Sequence, residues 1–241
     1  MKAVLISDVH NTQYDLSSEE NNNLPDADLL LIAGDLSVVG LESEISYFFN
    51  WLKKQSPRYK KGVVFIAGNH DRSFDPKFND GVNKPEWLNE LLYSIKNEYD
   101  NIHYLENQEI IIDGIKIYGS PISPWFHGDR WAFNAHRGDD IRKYWNMIPE
   151  DTDILMVHGP VAYKLDYIPR SSEYVGCEDL RKTVNKIKPK LFICGHIHEA
   201  YGIEEDEHTI YINASVCYLS YEPSNKPWLI EITENKEIKI L

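Results

Sequence analysis

Five short, almost uninterrupted apolar runs, at residues 3–7, 29–33, 63–67, 154–157 and 191–194, constrain this chain more than any other feature. A strand with one solvated face alternates apolar and polar residues, whereas an unbroken run needs cover on both faces. The five segments therefore read as inner strands of a sheet with helices laid over it. The intervening sequence supplies those helices. Ile45, Phe48, Phe49 and Leu52 recur at i, i+3, i+4 and i+7, as do Leu88, Leu91, Leu92 and Ile95, and each set makes one apolar stripe. Pro85 suits the first turn of the second helix, and Pro189 closes a third that carries Leu180, Val184 and Ile187.

Residues 109–112 and 115–118 flank Asp113-Gly114, a dipeptide that favours the two-residue turn of a β-hairpin. A further strand pair is expected from residues 209–212 and 228–232. Asn21-Asn22-Asn23 and the acidic stretch 204–207 read as solvated loops, and no internal repeat or linker divides the chain. The expectation is one α/β domain over residues 1–241, built on a mixed sheet or a two-sheet sandwich with helices outside.

Each apolar run stops at a particular kind of polar residue. Asp8-Val9-His10 follows the first, Gly34-Asp35 the second, Gly68-Asn69-His70-Asp71 the third, His158-Gly159-Pro160 the fourth and Gly195-His196-Ile197-His198 the fifth. Sheets of α/β proteins place their ligands at such strand ends. Taken singly, each motif also fits a turn or a cap, because Gly, Asn and Asp supply unusual backbone angles there. A lone His158 reads equally well as a satisfied polar residue. Jointly they resist that explanation, since five of the nine histidines fall at these ends. Carboxylate, amide oxygen and imidazole without thiolate suit manganese, iron or zinc, and the donors suffice for two ions sharing one carboxylate.

The order Asp-x-His, Gly-Asp, Gly-Asn-His-Asp, strand-end His and Gly-His-x-His resembles the calcineurin-like metallophosphoesterase superfamily. Tyr118-Gly119-Ser120-Pro121, Pro124-Trp125-Phe126, Ile197-His198-Glu199 and Tyr211-Ile212-Asn213-Ala214-Ser215 narrow the resemblance to its metallophosphoesterase-domain-containing phosphodiesterase group. That resemblance implies a four-layer α/β/β/α sandwich of mixed sheets with its metal site at the carboxyl ends of strands. It implies two divalent cations, manganese foremost with iron or zinc as alternatives, and hydrolysis of small phosphodiesters such as cyclic nucleotides by a metal-bound hydroxide. By position, Asp8, His10, Asp35 and His198 would hold one ion, and Asp35, Asn69, His158 and His196 the other. Some animal members of the group carry glycine where this chain has His196, so the second set is expected to be competent here. His70 would protonate the leaving alkoxide, with Asp71 either orienting it or capping the loop. Arg72 reads as a phosphate contact or as an exposed surface residue. Trp125, Phe126 and Trp131 read as a platform for a base or as packing of their own loop. His103, His127, His136 and His208 fall outside the motifs and read as surface or structural residues.

A formal net charge of -13 disfavours long nucleic acid, although bound cations can make one cleft locally positive. The partner expected is therefore a small phosphodiester. No apolar run is long enough to span a bilayer, and the opening strand lacks a signal-peptide cleavage pattern, so a cytoplasmic protein without membrane contact is the expectation. Cys177, Cys194 and Cys217 have no paired spacing and read as reduced, packed thiols. Two other classes compete. One is a phosphomonoesterase, protein phosphatase or nuclease of the same fold; the other is a metal-binding interaction module without turnover.

Overall fold

The structure, a computed structural model, describes residues 1–16 and 24–241, so Asn21-Asn22-Asn23 lies outside the described residues. In chain order the strands are β1 (Lys2–Ile6), β2 (Leu29–Ala33), β3 (Gly62–Ile66), β4 (Ile102–Tyr104), β5 (Gln108–Ile112), β6 (Ile115–Ser120), β7 (Ser123–Pro124) and β8 (Asn134–Ala135). They continue as β9 (Ile154–Val157), β10 (Tyr167–Ile168), β11 (Glu173–Tyr174), β12 (Leu191–Cys194), β13 (Gly202–Glu205), β14 (Ile210–Asn213), β15 (Trp228–Ile232) and β16 (Ile238–Ile240). The helices are α1 (Gln13–Leu16), α2 (Glu42–Gln55), α3 (Glu86–Glu98), α4 (Asp139–Trp145) and α5 (Glu178–Ile187).

Two six-stranded sheets form, in the orders β16-β15-β1-β2-β3-β4 and β13-β14-β12-β9-β6-β5. In the first, β1 to β4 are parallel and β15 and β16 add antiparallel neighbours. In the second, β14, β12, β9 and β6 are parallel and both edge strands are antiparallel.

The unbroken apolar runs explain the layering. Successive side chains of a strand point to opposite faces. Ala3 and Leu5 of β1 join Leu29, Leu31, Val64 and Ile66 against Ile117, Ile154, Met156, Leu191, Ile193 and Ile212 of the second sheet. Their neighbours Val4, Ile6, Leu30, Ile32 and Phe65 turn the other way, into a core with Ile45, Phe48, Phe49 and Leu52 of α2. Leu155, Val157 and Phe192 likewise meet Leu180 and Val184 of α5 and Ile141 and Trp145 of α4. Four layers result, α/β/β/α, as the resemblance implied. Each buried aliphatic side chain contributes about 1.5–3 kcal/mol, so the layer between the sheets holds them face to face.

The hairpin forms in the expected register, Ile112 opposite Ile115, with Asp113 at φ 49° and Gly114 at φ 77°, the two left-handed residues of a type I′ turn. Pro85 is the N-cap of α3 rather than a residue of its first turn, and Lys188 ends α5 in left-handed geometry just before Pro189. One expected pairing fails. Residues 210–213 and 228–232 are both strands, but β14 pairs with β12 and β13 whereas β15 pairs with β1, so they lie in different sheets. The stretch 204–207 also begins as strand: Glu204 and Glu205 belong to edge strand β13 and face solvent, which is why they read as loop. The three cysteines are free and buried. No helix among the described residues is long and apolar enough to cross a membrane.

Candidate metal centre

The carboxyl ends of β1, β2 and β3 in one sheet meet those of β9 and β12 in the other. Backbone bonds stitch them together: Ser7 N–H donates to the Ala214 carbonyl at 2.8 Å, Asp8 N–H to Gly34 at 2.9 Å and Gly195 N–H to His158 at 3.1 Å. Asp8 (φ 53°), His10 (φ 39°), Asn11 (φ 66°), Asp35 (φ 53°) and His196 (φ 68°) all take left-handed backbone. Such residues cost on the order of 1–3 kcal/mol each and persist where the surroundings force them. Here the forced turns help swing the side chains of Asp8, His10, Asp35 and His196 toward one point.

Asp35 stands at that point. Its Oδ2 lies 3.3 Å from His158 Nε2, 3.9 Å from His10 Nε2 and 3.9 Å from His70 Nε2, while Oδ1 accepts the His70 N–H at 2.8 Å. Asp8 Oδ1 is 3.2 Å from His198 Nε2, which is itself 3.2 Å from His10 Nε2. Asn69 Oδ1 approaches His158 Nε2 at 2.9 Å and His196 Nδ1 at 2.6 Å. The structure thus gathers Asp8, His10, Asp35, Asn69, His158, His196 and His198 from both sheets.

The far nitrogens fix the tautomers. Nδ1 of His10 donates to the Ser37 carbonyl at 3.0 Å, that of His158 to Ala33 at 2.9 Å and that of His198 to Tyr218 at 3.1 Å. A carbonyl only accepts, so each Nδ1 carries hydrogen and each Nε2 faces the cluster, the usual outer support of a metal-bound imidazole. The Ser215 hydroxyl donates to Asp8 Oδ2 at 2.7 Å.

Electrostatics express the crowding. Burial alone would raise Asp8 and Asp35, but His198 and His158 outweigh it and hold both carboxyls well below the usual carboxylate range. Burial likewise opposes charge on His158 and His198, yet Asp35 and Asp8 lift them to about 9. Desolvation pushes His10 down to about 4 and, with the charge of His158, His196 to about 3. Two carboxylates therefore retain two of the cluster's protons, in places where divalent cations would replace them. Groups of three donors within 4.8 Å of one another recur around Asp8, His10 and His198, around Asp8, Asp35 and His158, and around His10, Asp35 and His70. Buried oxygen and nitrogen donors with outward nitrogens already tied, and no thiolate among them, fit divalent metal.

Other expected residues are placed differently. Asp71 does not touch the His70 ring; its buried carboxylate accepts the N–H groups of Leu36 (3.1 Å), Ser37 (3.0 Å) and Gly68 (2.8 Å) and the Ser37 hydroxyl (2.6 Å). The Val38 carbonyl receives His70 Nδ1 instead, at 2.5 Å. Asp71 is thus the loop clamp of the two readings, because four donors converge on it before any imidazole can. Burial and the charge of Asp35 raise it to about 6. Arg72 is not an exposed surface residue. Its guanidinium lies 5.4 Å from the Trp131 ring centroid and 5.7 Å from that of Phe78, and its buried Nε has no partner. Of the aromatic loop, Trp131 packs on His70 at 4.5 Å between centroids and Phe126 on His196 at 4.7 Å. Trp125 stacks on His136 at 5.2 Å and is not brought onto the cluster. The sequence motifs pass over Tyr221, whose ring stands 4.5 Å from that of His10.

Residues 1–200 match the family described as calcineurin-like phosphoesterase. The chain belongs to that family. Calcineurin-like phosphoesterases use divalent metals, so the chain is a metal-dependent phosphoesterase by family, and its donor cluster is a candidate site for them. It is 39% identical to human metallophosphoesterase domain-containing protein 1 over 239 residues, covering 95% of this chain and 70% of that one. A UPF0046 protein of Caenorhabditis elegans is 34% identical over 255 residues, 99% of this chain and 62% of its own. The crystal structure of the Thermus thermophilus protein TT1561 shares the fold at TM-score 0.63 and 12% identity, covering 99% of this chain and 97% of that one.

Proposed function

We propose that this calcineurin-like phosphoesterase hydrolyses small phosphodiesters, cyclic nucleotides among them, and that manganese serves it best. Asp8, His10, Asp35 and His198 would hold one ion, and Asp35, Asn69, His158 and His196 the other. When bound, such ions lower the pKa of coordinated water and neutralise charge at phosphorus. The observation that carries the diester reading is His70. Its Nδ1–H is committed to the Val38 carbonyl and its Nε2 faces Asp35 at 3.9 Å. With Nδ1–H so committed, only the imidazolium form of His70 carries a second proton, on Nε2, and that form would present it at the edge of the cluster, where the alkoxide expelled from a diester needs one. Phe126 and Trp131 add apolar rings around the same point, which suits a singly charged ester carrying a planar substituent better than a dianionic monoester.

The test is turnover of 2′,3′-cAMP, 3′,5′-cAMP, bis-p-nitrophenyl phosphate and p-nitrophenyl phosphate by manganese-reconstituted protein, with His70→Ala alongside. The expected result is a diester preference and a loss of about 10²–10⁴ in kcat on the cyclic nucleotides for His70→Ala, with metal content unchanged. A clear preference for the monoester, or no turnover of any substrate, would sink the reading.

A further inference from the structure

Tyr221 belongs to none of the strand-end motifs, yet its ring lies over the candidate centre, with its centroid 4.5 Å from His10, 5.7 Å from His70 and 5.9 Å from His198. The loop that carries it is closed at its base by the Cys217–Pro223 bridge and by Ser224 and Asn225 N–H groups donating to the Val216 carbonyl. Tyr221 N–H donates to the Tyr218 carbonyl at 2.9 Å, the same carbonyl that receives His198 Nδ1. The loop is thus fastened to the centre it covers. Tyr221 itself has φ 58°, a region that bulky residues avoid. Core burial does not account for that strain, because the residue remains 40% exposed. What the strained turn achieves is to hold the ring beside three imidazoles and in reach of solvent.

We propose that Tyr221 is a specificity residue: its ring forms one wall of the substrate site, against which a planar aryl or base substituent of the phosphodiester packs. This rests on the diesterase reading. Trp131 and Phe126, in contact with His70 and His196, supply a second wall on another strand-end loop. The His70 ring is met by both Trp131 and Tyr221, so an ester held beside His70 would lie between the two walls, one substituent toward each.

Bis-p-nitrophenyl phosphate and methyl p-nitrophenyl phosphate share a leaving group and differ by one ring, so they isolate the wall. With the manganese-loaded full chain, the wild type should favour the bis-aryl ester in kcat/KM. Tyr221→Ala should lose about tenfold on that ester, chiefly through KM, and so narrow the preference, since stacking of one planar group on an aromatic ring is worth about that much. Tyr221→Phe, which keeps the ring, should restore the preference. If Tyr221→Ala keeps the wild-type preference, or lowers kcat equally on both esters together with metal content, the ring merely props His10 and His198 and the proposal falls. A wild type that cleaves neither diester overturns the diesterase reading itself, which is a separate outcome.

Discussion

At Gly195 the requirement is absolute space. A methyl group there would stand 2.1 Å from both Asp8 Oδ2 and Ser7 Oγ, far inside any real contact. Gly195→Ala must therefore push Asp8 off its bonds from Ser215 and His196, leaving a buried carboxylate short of partners at a cost of about 1–3 kcal/mol. The expected outcome is loss of bound metal with a lowered melting temperature, read by elemental analysis and thermal unfolding. Such residues were legible in the sequence only jointly, because each strand-end motif alone also fits a turn or a cap, whereas five in succession do not. The Val38 carbonyl was not, since a backbone acceptor leaves no trace in side-chain identity. Tyr221 was missed for a related reason: a tyrosine in a polar loop becomes visible only once the loop is seen to fold back over His10.

Among the elements, Asp71 ties the loop after β2 to the loop after β3, so the two deliver Asp35 and Asn69 in fixed relation. Asp71→Asn would set an amide donor against donors that need acceptors. It should destabilise the fold by about 1–3 kcal/mol in denaturant melts and lower kcat while the protein still binds metal. An unchanged melt would show that the clamp carries no energy. The parallel strands were read correctly because burial on both faces writes itself as unbroken apolar runs. The expected pairing of residues 209–212 with 228–232 fails, because β15 lies in the other sheet and pairs with β1, and neither strand's composition names its neighbour. The exposed edge strand β13 failed for want of apolar residues.

Across the molecule, proton balance separates the metal-free from the metal-loaded state. A histidine raised from 6.5 to about 9 stabilises the fold fully below pH 6.5, and that contribution is lost as pH rises through 9. Metal-free protein should accordingly lose melting temperature between pH 6.5 and 9, with His158 and His198 responsible. Protein loaded with manganese should not follow that slope, since ions then replace the protons, and metal uptake near pH 7 should release protons measurable by calorimetry in buffers of differing ionisation enthalpy. A flat metal-free profile would contradict the assignment. A groove of about 410 Å³, lined by Lys116, Asp151, Asp153, Lys188 and Lys236 among others, opens at the amino ends of the second sheet's strands, away from this chemistry. Its Lys116–Asp151 and Lys236–Asp153 pairs are already matched.

Both candidate ligand sets mix donors from the two sheets: His198 joins Asp8, His10 and Asp35, and His158 and His196 join Asp35 and Asn69. An ion in either place would act as a rivet through the sandwich, resisting any sliding of one sheet over the other. Chelation should then loosen both sheets at one end together, so that amide deuterium uptake at Asp35 and His70 rises in step with that at Gly195 and His196.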